Sequence, residues 1–266
     1  RLPPARTLRT APGLGGGGVA ALVLEGRIEE ASRLADRLEQ VAGPLLSPAA
    51  RLRLLGGRCF ESLGLGDVDR CLEAGATMRA LRDALRERGE ETDGDEWIEA
   101  AVSIELRARA WAGDLAGVDE LAARLRTAGP NLLQAVDHQT TIAQLRLVGG
   151  HLDEAEARCR SALAELESQL RHSPDLAVLP RSVLGTVLLE RGDVAAARDQ
   201  FEAVVEVASP TRRPATVLAL LGLSRIRRYE GAFDAAIAAL DDGRDLTRHA
   251  PRSSAMVVAL EVSRVR

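Results

Sequence analysis

Six times along this chain a glycine is followed two residues later by an apolar side chain and five residues later, with one exception, by a small one. The runs are Gly26-Arg27-Ile28-Glu29-Glu30-Ala31, Gly66-Asp67-Val68-Asp69-Arg70-Cys71 and Gly113-Asp114-Leu115-Ala116-Gly117-Val118, then Gly150-His151-Leu152-Asp153-Glu154-Ala155, Gly192-Asp193-Val194-Ala195-Ala196-Ala197 and Gly231-Ala232-Phe233-Asp234-Ala235-Ala236. The glycines are 40, 47, 37, 42 and 39 residues apart. Near-constant spacing of this kind marks a repeat architecture. Locally, each run reads as the turn between two helices. Glycine ends a helix because it enters the left-handed region without a Cβ clash. Asp67, Asp114 and Asp193 then stand where a side chain can cap the next helix. The apolar residue two after the glycine is expected to plug the gap between the paired helices. The small residue, Ala in four runs, lets those helices approach closely.

The flanking segments have helical period. Val178, Leu179, Val183, Leu184, Val187 and Leu188 share one broad face, and Val194, Ala197, Phe201, Val204 and Val205 recur at three- and four-residue steps. Pro44, Pro48, Pro130, Pro174, Pro180, Pro210, Pro214 and Pro251 are expected mostly between the pairs, where helices stop or start. The pattern predicts about thirteen helices: six pairs and a last one over roughly 252–264, with more than about 70% helix and no sheet. The whole chain, 1–266, reads as one repeat domain with turns near 26, 66, 113, 150, 192 and 231.

Composition narrows the function. Aromatic residues are only 2% of the 266, too few to furnish the strand faces of a sandwich or barrel. The net charge is −4, which argues against direct nucleic-acid binding by this segment. All 35 basic residues are arginine. The absence of lysine excludes a P-loop lysine, a Schiff-base lysine and a lysine nucleophile together. No apolar run reaches the ~18 residues of a membrane span. The proline- and glycine-rich start, Arg1 to Gly18, lacks the apolar core of a signal peptide. Three cysteines without C-x-x-C spacing suggest a reduced, cytoplasmic protein. The chain begins at Arg1 and not at Met, which is expected of a segment excised from a longer protein.

The runs Gly-Asp-Val-Ala-Ala-Ala and Gly-His-Leu-Asp-Glu-Ala resemble the central G-D-Y-D-E-A of tetratricopeptide (TPR) repeats. The small residue that those repeats carry seven positions earlier is matched by Cys59, Ala143, Gly185 and Ser224, and is not matched by Leu106. The resemblance covers roughly residues 14–250. It implies an all-α, TPR-like alpha solenoid, a right-handed superhelix of about six helix pairs plus a C-terminal helix. The TPR period is 34, so helices or connections are longer here. It also implies that Cys59 and Cys71, at the two small positions of one repeat, are buried neighbours. The longer Ala/Leu/Arg-rich repeats resemble the helical sensor segment of large ATP-binding LuxR-type transcription regulators, the class of the maltotriose-responsive activator. In that class an ATPase domain precedes the segment and a helix-turn-helix reader follows it. No G-x-x-x-x-G-K-[ST] occurs in this chain.

In TPR proteins partners bind the concave face, which the first helix of each pair lines. Counting back thirteen, ten, nine and six residues from the turn glycines places Ser103 and Arg107 there in the third repeat. The same count gives Asp137, Thr140, Thr141 and Gln144 in the fourth, Ser182 and Thr186 in the fifth, and Arg225 in the sixth. Arg228 joins them. These groups can hydrogen-bond a sugar, a peptide backbone or a carboxylate, and the arginines suit acidic or hydroxyl groups. The same pattern is also what a solvated groove wall presents. The clusters Arg212-Arg213 and Arg225, Arg227 and Arg228 read either as an anion site or as ion pairs with acids such as Asp199, Glu202 and Glu230. Asp93, Asp95 and Glu96 lack the full calcium-loop ladder and read as an exposed loop. The four histidines, His138, His151, His172 and His249, have no paired spacing and are expected at surfaces or interfaces, not on a metal. No G-x-S-x-G elbow supports a hydrolase. Trp97 and Trp111, nearly four turns apart on one helix, read as core anchors or as a ligand shelf.

Two functions follow. The first is a non-catalytic regulatory segment of a LuxR-type bacterial regulator, without cofactor. It takes a small-molecule inducer or a peptide or protein segment in its groove, and its ATPase and DNA-binding domains lie elsewhere in the full-length chain. The alternative is a free-standing TPR adaptor that scaffolds protein complexes.

Overall fold

The computed structural model describes residues 16–42, 46–90, 96–124, 132–169, 174–207, 213–252 and 254–265. Among them are thirteen helices and no strand. They are α1 (Gly16–Leu24), α2 (Ile28–Ala42), α3 (Pro48–Leu65), α4 (Val68–Glu87), α5 (Glu96–Ala112), α6 (Val118–Arg124), α7 (Leu132–Val148), α8 (Leu152–Gln169), α9 (Pro174–Glu190), α10 (Val194–Val207), α11 (Arg213–Tyr229), α12 (Phe233–Leu246) and α13 (Ala255–Val265). Each odd-numbered helix up to α11 packs on the outer helix that follows it and on the odd-numbered helices of adjacent repeats. This is the TPR-like helical solenoid that the turn motif implies.

The six turns are built alike. Each glycine lies at positive φ, from 69° at Gly113 to 83° at Gly192. Its N–H donates to the carbonyl three residues back, and the next N–H donates to the carbonyl five residues before it, as in Gly192 to Leu189 and Asp193 to Leu188 at 3.1 and 2.9 Å. This pair of bonds satisfies the free carbonyls of a helix end. Asp67 Oδ1 accepts from the Arg70 N–H and Asp193 Oδ1 from the Ala196 N–H, so both cap the following helix. Asp114 differs. It accepts from the Ala116 N–H, and a second left-handed glycine, Gly117, delays α6 to Val118.

The position five after each glycine is buried in every repeat: Ala31, Cys71, Val118, Ala155, Ala197 and Ala236. So is the position seven before it, from Val19 to Ser224, including Leu106 where the small residue is missing. The expected plug, by contrast, holds only in part. Ile28 and Val68 are buried, but Leu115 is 40% and Phe233 63% exposed. The extended third turn carries Leu115 outwards. In α12 the residues Ala236, Ala239, Leu240 and Gly243 face inwards and leave Phe233 and Ile237 outside.

Two glycines inside helices have a steric role. The Phe201 ring of α10, fully buried, lies in a notch between Gly185 of α9 and Gly222 of α11. A Cβ at Gly185 would stand 2.6 Å from the ring, and one at Gly222 would overlap it. Pro180 does not separate helices as expected. It lies inside α9, where Val178, Leu179 and Val183 pack into the core on either side of it and outweigh the lost backbone bond.

Arginine–carboxylate pairs cross every repeat boundary. Arg58 meets Asp36 at 2.8 Å, Arg79 meets the fully buried Glu105, and Arg107 meets Asp137 at 2.7 Å. Arg191 meets Asp153, and Arg225 meets Glu190 at 2.7 Å. A further pair, Arg213–Glu29 at 3.2 Å, joins the sixth repeat to the first. The solenoid therefore closes on itself. Helix α11 touches α3 and α13 touches α5. Ser254 donates to the Gly66 carbonyl, and a Cβ at Gly66 would sit 3.4 Å from Ala250 and from the Met256 sulfur. His249 also faces Glu29 at 3.7 Å.

Gly192 has nothing within 4 Å of a would-be Cβ, so Gly192→Val should lose only the cost of left-handed backbone, about 1–2 kcal/mol. Gly222→Ala adds the collision with Phe201 and should lose about 1–3 kcal/mol despite its smaller side chain. Urea melts giving the native stability for both variants would refute these roles.

Burial raises the Glu29 carboxyl, but its own backbone N–H and Arg213 more than offset this and hold it below its ordinary value of 4.5. A depressed carboxyl stabilises closure above that range and stops doing so as the pH falls through its folded value. Small-angle scattering should show the ring opening at acid pH, with Glu29→Gln more open than wild type at neutral pH. Identical profiles would remove Glu29 from the closure.

Cys59 and Cys71 are buried neighbours, with the Cys59 thiol 3.8 Å from the Cys71 carbonyl. Hydrogen bonding with Cys59 and burial push the Cys71 thiol well up, and burial pushes Cys159 up to about 12. A thiol reagent at pH 8 should leave all three unmodified in the native protein and react with all three after unfolding. Rapid native labelling would contradict this burial.

Candidate ligand-binding site

Closure gathers the inner helices around a central trough. A cavity of about 370 Å³ is walled by residues of α1, α3, α5, α7, α9 and α11, all six inner helices. A second, more open one of about 450 Å³ adjoins it and shares Trp111, Gln144 and Leu218 with it. The helical step explains which positions face inwards. The residue thirteen before the turn glycine lines the trough in repeats three to six as Ala100, Asp137, Leu179 and Leu218. The residue six before lines it as Phe60, Arg107, Gln144 and Thr186 in repeats two to five. Seven residues are almost two turns, so both positions share one face.

Of the residues that sequence placed on this face, Arg107, Asp137, Thr140 and Gln144 come together around the first cavity, and Thr186 joins Gln144 at the second. Ser103, Thr141 and Ser182 do not reach either wall. They are fully buried against neighbouring helices, and Ser182 donates to the Leu179 carbonyl. The ring is tighter than an open groove, so neighbours on both sides cover the flanks of each inner helix. Arg225 and Arg228 also lie outside both walls, and Arg225 is held by Glu190. Of the two readings of the arginine clusters, ion pairs are what Arg213 and Arg225 form. Arg213 is bound to Glu29, Arg227 donates to the Ala235 carbonyl, and Glu230 takes Arg198. Arg212, His172, Gly13, Asp93 and Asp95 lie outside the described residues, as do the side chains of Glu96 and Trp97. No group of three or more metal-ligating side chains occurs among the described residues.

The trough's electrostatics are set by one pair. The Arg107 guanidinium is 9% exposed and bound to Asp137 at 2.7 Å, so its charge is already met. Its Nε nevertheless has no hydrogen-bond partner among the described residues, and neither has Gln144 Oε1. Both atoms are buried, which is costly unless something pairs with them.

His138, Trp111 and Pro180 also line the wall and were not among the residues placed there by counting. His138 was expected at a surface and is 8% exposed on the trough wall. It stands twelve before its turn glycine, beside the thirteenth position. Trp111, read mainly as a core anchor, lines both cavities and packs against the cluster of Val217, Leu240 and Leu260. Pro180 lines the first cavity with Leu176, whose carbonyl it deprives of a helical donor. A proline within an apolar helical run was the one sequence signal for that last feature.

No family model matches the chain, and no curated protein matches it in sequence. Among solved structures the chain is similar to NprR in complex with its cognate peptide NprX, with a TM-score of 0.68 over 92% of this chain and 68% of that one. The sequences are 14% identical, so the likeness is one of fold. No helix of the described residues is long and apolar enough to cross a membrane.

Proposed function

We propose that this chain is a non-catalytic, ligand-sensing segment of a bacterial transcription regulator, which takes a peptide or small ligand in its central trough. The observation that carries this reading is a mainly apolar cavity with a contribution from every inner helix and two buried polar atoms without partners among the described residues. Apolar walls with a few placed polar groups are the usual makeup of a ligand pocket. A ligand there touches all six repeats at once, so its binding favours the closed ring over any opened form. NprR, which shares the fold, is bound to a peptide. An open scaffolding groove, as an adaptor would need, fits poorly with ends joined by Arg213–Glu29.

The turn motifs and the long Ala/Leu/Arg-rich repeats extend the proposal to the LuxR-type ATP-binding regulators. In that arrangement this domain works in the cytoplasm, between an ATPase domain and a helix-turn-helix reader carried elsewhere in the full-length chain.

Thermal shift against panels of short peptides, malto-oligosaccharides and apolar acids tests the trough. A ligand at a hundred times its Kd adds about 2.7 kcal/mol, several degrees of Tm for a chain of this size. Leu218→Trp fills the wall shared by both cavities and should abolish the shift while circular dichroism stays helical. Shifts that persist in Leu218→Trp would place binding outside the trough and defeat the proposal.

A further inference from the structure

Resting on the ligand-sensing reading above, we infer that the trough's occupant is a peptide segment with apolar side chains and no acidic group, held by its backbone between Arg107 and Gln144. These residues stand six before the turn glycines of successive repeats, so they occupy equivalent positions on α5 and α7. They are 7% and 6% exposed, and both line the trough. Arg107 Nε has no acceptor and Gln144 Oε1 no donor among the described residues, and both atoms are shielded from solvent, so each side chain turns towards the trough to meet an occupant. What is missing is one acceptor and one donor, and a peptide unit offers both in its C=O and N–H.

The surroundings exclude other chemistries. A carboxylate would find the Arg107 charge already bound to Asp137. A sugar would bring many hydroxyls against Phe60, Ile104, Leu179 and Leu218, where most would stay unpaired. Leucine-like or aromatic side chains on a peptide suit those walls, and only its backbone needs polar partners.

The test uses Trp97→Phe, which leaves Trp111 on the trough wall as the sole tryptophan. Its emission is followed while a library of N-acetylated, C-amidated tripeptides of Ala, Val, Leu and Phe is titrated. A neutral apolar dye, N-phenyl-1-naphthylamine, runs in parallel. The expected result is saturable binding that competes with the dye. A central Glu or a free C-terminal carboxylate should weaken it tenfold or more. Replacing the N–H that reaches Gln144 by an ester oxygen should cost about tenfold on the wild-type residue and nothing further on Gln144→Met, since both changes remove the same hydrogen bond. The ester arm needs no destabilising mutation. Acidic peptides binding as well as neutral ones would overturn the inference, as would ester and amide binding alike. If the dye enters, Leu218→Trp expels it, and no peptide competes, the peptide inference fails while the trough remains a ligand site. If neither dye nor peptide enters, both readings fail.

Discussion

Close approach of the two helices in each pair is the constraint from which the rest of the molecule follows. A side chain no larger than Ala or Cys at the crossing point brings the pair together in five of the six repeats. The closed approach fixes the angle at which the chain leaves each glycine turn, and the same turn geometry repeats six times. Because the turns are alike, the inner helices of repeats three to five show the trough the same two positions, thirteen and six residues upstream. In the third repeat Val118 replaces the small residue and Gly117 lengthens the turn, so the outer helix starts later than in the other five.

Repetition also explains how much was legible. A turn glycine and its caps are decided within a dozen residues, so the helix pairs and their order could be read directly. The thirteen-and-six register followed by counting. What counting could not give is how far the superhelix curls, because that depends on contacts between residues far apart in the chain. Arg213 and Glu29 are 184 residues apart, and Ser254 and Gly66 are 188. Closure turned Ser103, Thr141 and Ser182 from groove residues into core. It left Arg225 on the outside with Glu190 and brought His138 and Trp111 to the wall. The losses from the wall share one cause: an open groove shows a wide arc of each inner helix, and a ring shows a narrow one.

The exclusive use of arginine fits this architecture. Planar guanidinium forks reach two acids at once, as Arg58 does with Asp36 and Glu39 and Arg191 with Asp153 and Glu156. Exposed pairs of this kind contribute at most about 1 kcal/mol each. Their value lies in register: each pair joins one repeat to another at a fixed step. Two carboxylates differ in energy. Glu61 is fully buried between Arg58 and Arg70. Glu105 is fully buried between Arg79 and Arg109, over Gly75, where a Cβ would stand 2.6 Å from its carboxyl. Removing either arginine would weaken the shielding of a charge in the core.

Trp111 links the trough to the closure. It lines both cavities and also packs against the cluster of Val217, Leu240 and Leu260, one residue from each of the last three helices. A ligand that presses on this ring therefore acts on the same side chain that seats α11, α12 and α13. The energy it can pass on is limited to the difference in its affinity for the closed and opened ring, whatever its total affinity. A ligand anchored only to Arg107 and Gln144 would bind both forms alike, because α5 and α7 are sequence neighbours that stay packed when the ends part. Contacts that also reach Leu218 on α11 or Val23 on α1 are the ones that discriminate, since those helices lie at the two ends that closure brings together.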